Sequence, residues 1–124
     1  MSTDYQVKIE TSNREFTARE RLMFKDFSNA QQLDTLTDGD PILITPVDFA
    51  ILSVHNEKSK AEKDYRKFVI IDKGGNKFIT GSESFIKAFM EIKEEMGDEE
   101  YDIECYKVPS KNYVGKSFLT CSIV

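Results

Sequence analysis

Two stretches of this 124-residue sequence place basic side chains next to tyrosine. This combination is suited to binding a flexible, negatively charged polymer that carries aromatic rings. Residues 55–67 contain five cations, three acids and one tyrosine, and residues 107–116 contain three lysines, one tyrosine and no acid. Cationic side chains bind phosphates, and an aromatic ring that stacks on a nucleobase contributes about 1–3 kcal/mol. These residue types therefore indicate a binding surface for single-stranded nucleic acid.

Two further rings and one further lysine extend this surface. Tyr106 and Phe118 fall at outward positions of two neighbouring predicted strands, and Lys77 begins another. Each residue also has an ordinary interpretation, because loop lysines keep a protein soluble and strand aromatics usually belong to a core. The joint pattern is what favours binding. The predicted single-stranded-DNA-binding residues are Lys58, Lys60, Lys63, Tyr65, Arg66, Lys67, Lys77, Tyr106, Lys107, Lys111, Asn112, Tyr113, Lys116 and Phe118.

The net charge of −5 argues against nucleic-acid binding when it is taken alone, since nucleic-acid-binding domains usually carry a basic surface. The acids are concentrated, however, because residues 91–104 hold eight acidic residues and one lysine. The rest of the chain then carries a net charge of +2. This uneven distribution weakens the objection.

Residues suited to catalysis or metal binding are sparse. His55 is the only histidine, and the sequence has no glycine-rich phosphate-binding motif. A structural zinc site needs about four ligands, whereas Cys105 and Cys121 are the only thiols. The acidic run at 91–104 lacks the spacing of a calcium-binding loop. We therefore expect no enzyme activity, no cofactor and no metal, and we expect both cysteines to be buried as apolar residues.

The elements that must position the candidate surface follow Asp40. Pro46 interrupts the first apolar run and predicts a bend or bulge there. Ser82 and Gly97 suit the two ends of a helix whose apolar residues recur at helical spacing. The strand-like runs are residues 42–54, 65–72, 77–80, 101–108 and 117–124. Three strands, a helix and two strands form the order of an OB fold.

The predicted fold is thus mainly β: a five-stranded OB-fold barrel over residues 39–124, with one helix between strands three and four. Such barrels usually bind ligands on the face of strands two and three, between the loop that joins strands one and two and the loop that joins strands four and five. Residues 55–67 and 107–116 fall at these two loops. We therefore expect the binding site on that face.

Residues 1–38 allow two interpretations. Tyr5, Val7 and Ile9 alternate as in a short strand. Residues 17–20 fit a capping box ahead of a helix, although the apolar residues that follow would also suit a strand. We expect this region to form an N-terminal extension packed on the barrel, with a turn at residues 37–41 as the junction.

Several strings of this sequence resemble phage-type single-stranded-DNA-binding proteins from phages and mobile elements of Gram-positive bacteria. They are VDFAILSVHNEK at 47–58, TGSESF at 80–85 and PSKNYVGKSFLTCS at 109–122, with TARE at 17–20 as a weaker match. The resemblance implies an OB fold, sequence-tolerant binding of single-stranded DNA, and a role in replication or recombination of the element. It also implies that residues 111–116 contact DNA. Replication proteins and a second copy of the chain are further candidate partners.

Two other functions fit the same composition. An OB domain can serve as a protein–protein adaptor in a replication complex, and an acidic protein can mimic DNA and block a DNA-binding enzyme. A mimic needs carboxylates spread at phosphate-like spacing, and an adaptor would bind DNA no less well after alanine substitution of Lys111 and Tyr113. The sequence has no secretory signal and no apolar run long enough for a membrane. We therefore expect a cytoplasmic protein with no membrane partner, and the resemblance implies that the cytoplasm is that of a bacterial host.

Overall fold

The computed structural model describes residues 5–60, 62–111 and 114–124 as two β-sheets and three helices. In chain order the elements are β1 (Tyr5–Ser12), α1 (Ala18–Lys25), β2 (Gln31–Gln32), α2 (Leu33–Leu36), β3 (Ile42–Ile44), β4 (Pro46–Asn56), β5 (Asp64–Asp72), β6 (Lys77–Thr80), α3 (Glu83–Met96), β7 (Ile103–Pro109) and β8 (Ser117–Ile123). The first sheet has the order β1-β4-β5-β6-β2, and the second has the order β3-β7-β8. The mainly-β prediction is confirmed, although the described residues form eight strands rather than five.

The predicted first strand is in fact two strands, because the chain passes from one sheet to the other at Thr45. β3 pairs with β7, whereas β4 pairs with β5, and both pairings are antiparallel. Pro46 has no N–H to donate, and the register of β4 against β5 slips between Pro46 and Asp48. The bend predicted from Pro46 is confirmed, and it joins the two sheets at one corner.

The main core lies between the two sheets and α3. Ser82 caps this helix by accepting a hydrogen bond from the Phe85 amide at 3.2 Å, and Gly97 ends it with a φ of +61°. Phe85 and Phe89 of α3 meet Phe49 and Phe68 of the first sheet, with ring centroids 4.9–5.9 Å apart. All four rings are buried. The predicted helix is confirmed, and its apolar stripe is what closes the core.

The N-terminal region supplies a strand to the first sheet. β1 runs antiparallel to β4, from Tyr5 opposite Asn56 to Ser12 opposite Ala50. Its side chains alternate, so that Val7 and Ile9 pack against a second core while Lys8 lies on the opposite face. Residues 5–12 therefore belong to the same sheet as β4, β5 and β6.

The second core lies on the face of the first sheet that points away from α3. Thr17 and Glu20 form the predicted capping box, which starts α1. Phe16 stacks on Phe24 of α1 with ring centroids 4.5 Å apart, and both rings are buried. They pack against Ala50, Leu52, Val69 and Ile79 of β4, β5 and β6. The helical interpretation of residues 18–25 is thus correct, and this helix covers the outer face of the sheet.

Residues 31–38 lie where the two sheets approach each other. β2 pairs with β6 in parallel, and Leu33 is fully buried in the main core. Asp34 accepts a hydrogen bond from the Thr80 hydroxyl of β6 at 2.8 Å, and its carbonyl accepts one from the Lys107 ammonium of β7 at 2.6 Å. No ladder among the described residues joins β2 to β8, so the two sheets do not close into a barrel. No helix in the described part of the chain is long and apolar enough to cross a membrane.

Candidate nucleic-acid interface

The two loops predicted to bind lie at the same end of the molecule, where α3 begins. The loop at 57–63 joins β4 to β5, and Arg66 near the start of β5 donates a hydrogen bond to Glu83, the first residue of α3, at 3.1 Å. The loop at 110–116 joins β7 to β8, and Leu119 near the start of β8 accepts a hydrogen bond from Ser84 at 2.7 Å. The N-terminus of α3 thus brings the two basic segments together.

The acidic segment lies at the opposite end of α3. This helix has 14 residues, which corresponds to a length of about 21 Å. Residues 91–104 include its last turns and the connection to β7. Lys73, in the turn between β5 and β6, lies 3.3 Å from Glu100 and neutralises one carboxylate there. The structure therefore separates the basic loops from the acidic segment by the length of a helix.

Three of the predicted cations are engaged in ion pairs within the protein. Lys63 lies 3.2 Å from Glu57, Arg66 pairs with Glu83, and Lys107 pairs with Asp38. These cations are partly neutralised before any ligand arrives. By contrast, the ammonium groups of four predicted lysines make neither an ion pair nor a hydrogen bond with any residue in the described ranges. They are Lys58, Lys60, Lys67 and Lys111.

The alternation of β5 divides the predicted residues between its two faces. Arg66 shares a face with Phe68 of the main core, whereas Tyr65 and Lys67 share the opposite face with Val69. The Lys67 ammonium lies 5.7 Å from the centre of the Tyr65 ring. The Arg66 side chain therefore points away from the face that carries its two neighbours.

The prediction that the site spans the face of β5 and β6 is wrong for the middle of that face, which is buried. Phe16 and α1 cover that face, and Val69 and Ile79 beneath them are fully or almost fully buried. Bases cannot stack on rings or strands that are already packed in a core. Tyr65 and Lys67 are the predicted residues of this face that stay partly exposed.

Lys77 has a structural position rather than a binding one. Its side chain is buried, and its ammonium donates hydrogen bonds to the carbonyls of Met23 and Asp26 at 2.6 and 3.0 Å and to the side chain of Asn29 at 3.0 Å. All three protons of the ammonium are used in this way. Lys77 therefore holds the C-terminal end of α1 against the sheet.

We expect Lys77→Met to lower the free energy of unfolding by about 1–3 kcal/mol, because it leaves partly buried oxygens without a donor. Urea denaturation measures this change. Lys73→Met is the matched control, since Lys73 is exposed and its pair with Glu100 lies at the surface. It should change stability by under about 0.5 kcal/mol. Equal losses in the two variants would contradict the structural role of Lys77.

Tyr106 and Phe118 lie together on the outer face of the second sheet. Tyr106 is opposite Thr120, and Phe118 is opposite Val108, so the two rings are diagonal neighbours. Phe118 is exposed. Lys116, also exposed, precedes β8. Asn112 and Tyr113, which the sequence analysis also assigns to the site, lie outside the described residues.

A groove that the sequence analysis missed lies beside the 57–63 loop. It has a volume of about 710 Å³ and is lined by β1, β4 and β5, including Gln6, Lys8, Ser53 and His55. The alternation of residues 5–9 places Gln6 and Lys8 on a polar face, but nothing in the sequence shows that β1 pairs with β4. The groove therefore depends on a contact between residues more than 40 positions apart.

His55 is held between two carboxylates at the base of the 57–63 loop. Its Nδ1 lies 2.7 Å from Asp64, and its Nε2 lies 2.7 Å from Glu57. Both ring N–H groups of the imidazolium can donate in this arrangement, so the hydrogen bonds to Asp64 and then Glu57 raise the pKa of His55 above its usual 6.5. The protonated form joins β4, β5 and the loop.

We expect the single histidine resonance to titrate with a midpoint above pH 6.5, as followed by proton NMR. Because this pKa is raised on folding, the stabilisation is fully present below pH 6.5 and is lost as the pH rises through the folded-state pKa. Asp64→Asn should lower the midpoint by removing the largest cause of the shift. Glu62→Gln is the control, since Glu62 makes no contact with the ring in the described structure. A midpoint that Asp64→Asn leaves unchanged would contradict the geometry.

The two cysteines are apolar core residues, as expected. Cys105 and Cys121 lie opposite each other on β7 and β8, and both are buried with free thiols. Burial raises the pKa of both thiols, that of Cys121 to about 12. They stay protonated and inert at neutral pH.

Known proteins provide no assignment for this arrangement. No protein-family model, no curated protein and no solved structure matches the chain. The function is therefore inferred from the residues and their placement.

Proposed function

We propose that this protein is a non-enzymatic single-stranded-DNA-binding protein that acts in replication or recombination of a phage or mobile element, in the cytoplasm of its bacterial host. The observation that carries this proposal is the separation of charge along α3. Two loops with exposed lysines flank the N-terminus of the helix, and the acidic segment includes its C-terminal turns. A polyanion is attracted to one end of the molecule and repelled from the other.

The cations that make no ion pair within the described structure are suited to phosphate binding. Lys58 and Lys60 lie exposed in one loop, and Lys111 lies exposed in the other. Each can bind a phosphate without breaking an internal ion pair. Phosphate contacts of this kind carry no sequence information, and ring faces stack on any base, so we expect little sequence preference. The concentrated carboxylates disfavour the acidic DNA mimic.

We further propose that the two sheets form a modified OB fold. The segments β3 with β4, β5, β6, α3, β7 and β8 follow the order of strands and helix that is typical of such barrels. Residues 31–38 occupy the gap in which a closing ladder would join the third and fifth barrel strands. In this interpretation β3 and β4 together correspond to the long, bent first strand of the barrel, and β1 and α1 are additions to it.

Titration of ¹⁵N-labelled protein with a dT oligonucleotide tests this proposal. Amide shifts should change most in residues 56–63 and 110–118 and least in residues 91–104. A duplex of the same length is the control, and it should produce smaller changes at the same concentration. Absence of any change at low salt would contradict the proposal. Changes centred on residues 91–104 would contradict the placement of the site.

A further inference from the structure

We infer that the outer face of the second sheet, here called the β7–β8 face, is the platform on which bases stack. It comprises Leu43 of β3, Tyr106 and Val108 of β7, and Phe118 and Thr120 of β8. The inference rests on the proposed function and specifies where the DNA strand lies. The β7–β8 face takes the place of the predicted binding face on β5 and β6, which α1 and Phe16 cover.

The β7–β8 face is open in the described structure. The opposite face of the same sheet carries Ile103, Cys105 and Leu119, which belong to the main core. Tyr106 and Phe118 belong to neither core, and Leu43 and Phe118 are 66% and 42% exposed. Exposed apolar groups gathered on one sheet face mark a site of interaction.

The rings on this face are placed for stacking. Tyr106 and Phe118 lie on adjacent strands as diagonal neighbours, a relation that separates Cα positions by about 7–8 Å. The Tyr106 hydroxyl is hydrogen-bonded to the Ser122 hydroxyl at 2.5 Å, which fixes the ring across β8. A ring that is already fixed loses little rotational freedom when a base stacks on it.

Charge favours nucleic acid as the occupant of this face. Residues 105–124 contain three lysines and no acid. Lys111 and Lys116 lie in the loop at the end of the face next to Phe118. Glu104 is the one acid within β3, β7 and β8, and it lies opposite Leu43, at the end away from the basic loop. A strand whose bases stack on the rings would therefore bring its phosphates to the basic loop.

Size argues against a second copy of the chain as the occupant. β7 and β8 have seven residues each and β3 has three, so the face covers roughly 280 Å². A stable protein interface buries about 800 Å² on each partner. The β7–β8 face alone is too small for that, whereas a narrow track of stacked bases fits it.

Because the chain has no tryptophan, Phe118→Trp introduces a single reporter into the face. We expect dT oligonucleotide to quench its emission upon binding, while anisotropy of the labelled oligonucleotide measures binding independently. Leu22→Trp is the matched control, since Leu22 is 69% exposed on α1, away from the face. The emission of the tryptophan introduced by Leu22→Trp should stay unchanged when the oligonucleotide binds. Phe118→Leu, which keeps an apolar side chain without a ring, should weaken binding by about 5- to 150-fold.

The outcomes separate the inference from the proposed function. Binding with no quenching at position 118, or with equal quenching at positions 22 and 118, would overturn the inference and leave DNA binding intact. Emission at position 118 that changes with protein concentration alone would assign the face to a dimer and also overturn it. Wild-type protein that binds no single-stranded DNA would overturn both.

Discussion

Replacing Lys58, Lys60 and Lys111 together by alanine should lower the affinity for single-stranded DNA by about two orders of magnitude at about 0.1 M salt. Each lysine that binds a phosphate releases counterions, which gives a slope of about −0.7 in a plot of log K against log salt. One such contact contributes about 5-fold at this salt concentration. Three lost contacts should therefore make the slope shallower by about 2, as measured by anisotropy at several salt concentrations.

The matched control is the replacement of Lys25, Lys73 and Lys87 by alanine. It produces the same change in net charge, but these residues lie on α1, in the turn between β5 and β6, and on α3. We expect its salt slope to equal that of the wild-type protein. If both triple variants lost the same affinity and slope, binding would reflect net charge alone, and the placement of the site would be wrong.

Phe68→Ala should lower the free energy of unfolding by about 3–5 kcal/mol, the largest effect on stability that we expect from one substitution. Phe68 is fully buried on a central strand, and its ring centroid lies 4.9–5.9 Å from those of Phe49, Phe85 and Phe89. Its removal leaves a cavity where both sheets and α3 meet. Urea denaturation should show a lower midpoint with little change in slope.

Phe118→Ala provides the comparison for this core substitution. Phe118 is 42% exposed, so we expect a loss of stability under about 1 kcal/mol together with weaker DNA binding. The folded fraction of Phe68→Ala, by contrast, should bind DNA with unchanged affinity. Equal losses of stability in the two variants would show that the aromatic cluster around α3 is not the centre of the core.

The parts of the fold that sequence analysis predicted well are those encoded by neighbouring residues. Ser82 and Gly97 mark the ends of α3 because capping depends on the residues within one turn of each end. Pro46 marks the bend because a missing N–H disrupts any ladder. Period-two alternation likewise identified β7 and β8 to within about two residues.

Contacts between distant residues decide what could not be predicted. Phe16 and Phe24 cover the face of β5 and β6, but nothing in the residues around them shows which surface they contact. Lys77 and Lys107 are basic and near strand ends, yet their oxygen partners come from residues 23–38. The separation of Arg66 from Tyr65 could have been foreseen, because adjacent residues in a strand point to opposite faces.

The most direct test of the central claim is fluorescence anisotropy of a labelled dT oligonucleotide titrated with the protein at several salt concentrations. We expect saturable binding that weakens as salt is raised and that duplex DNA does not match. The saturation point would also give the number of nucleotides bound by each protein. No binding at low salt would contradict the claim that this protein binds single-stranded DNA.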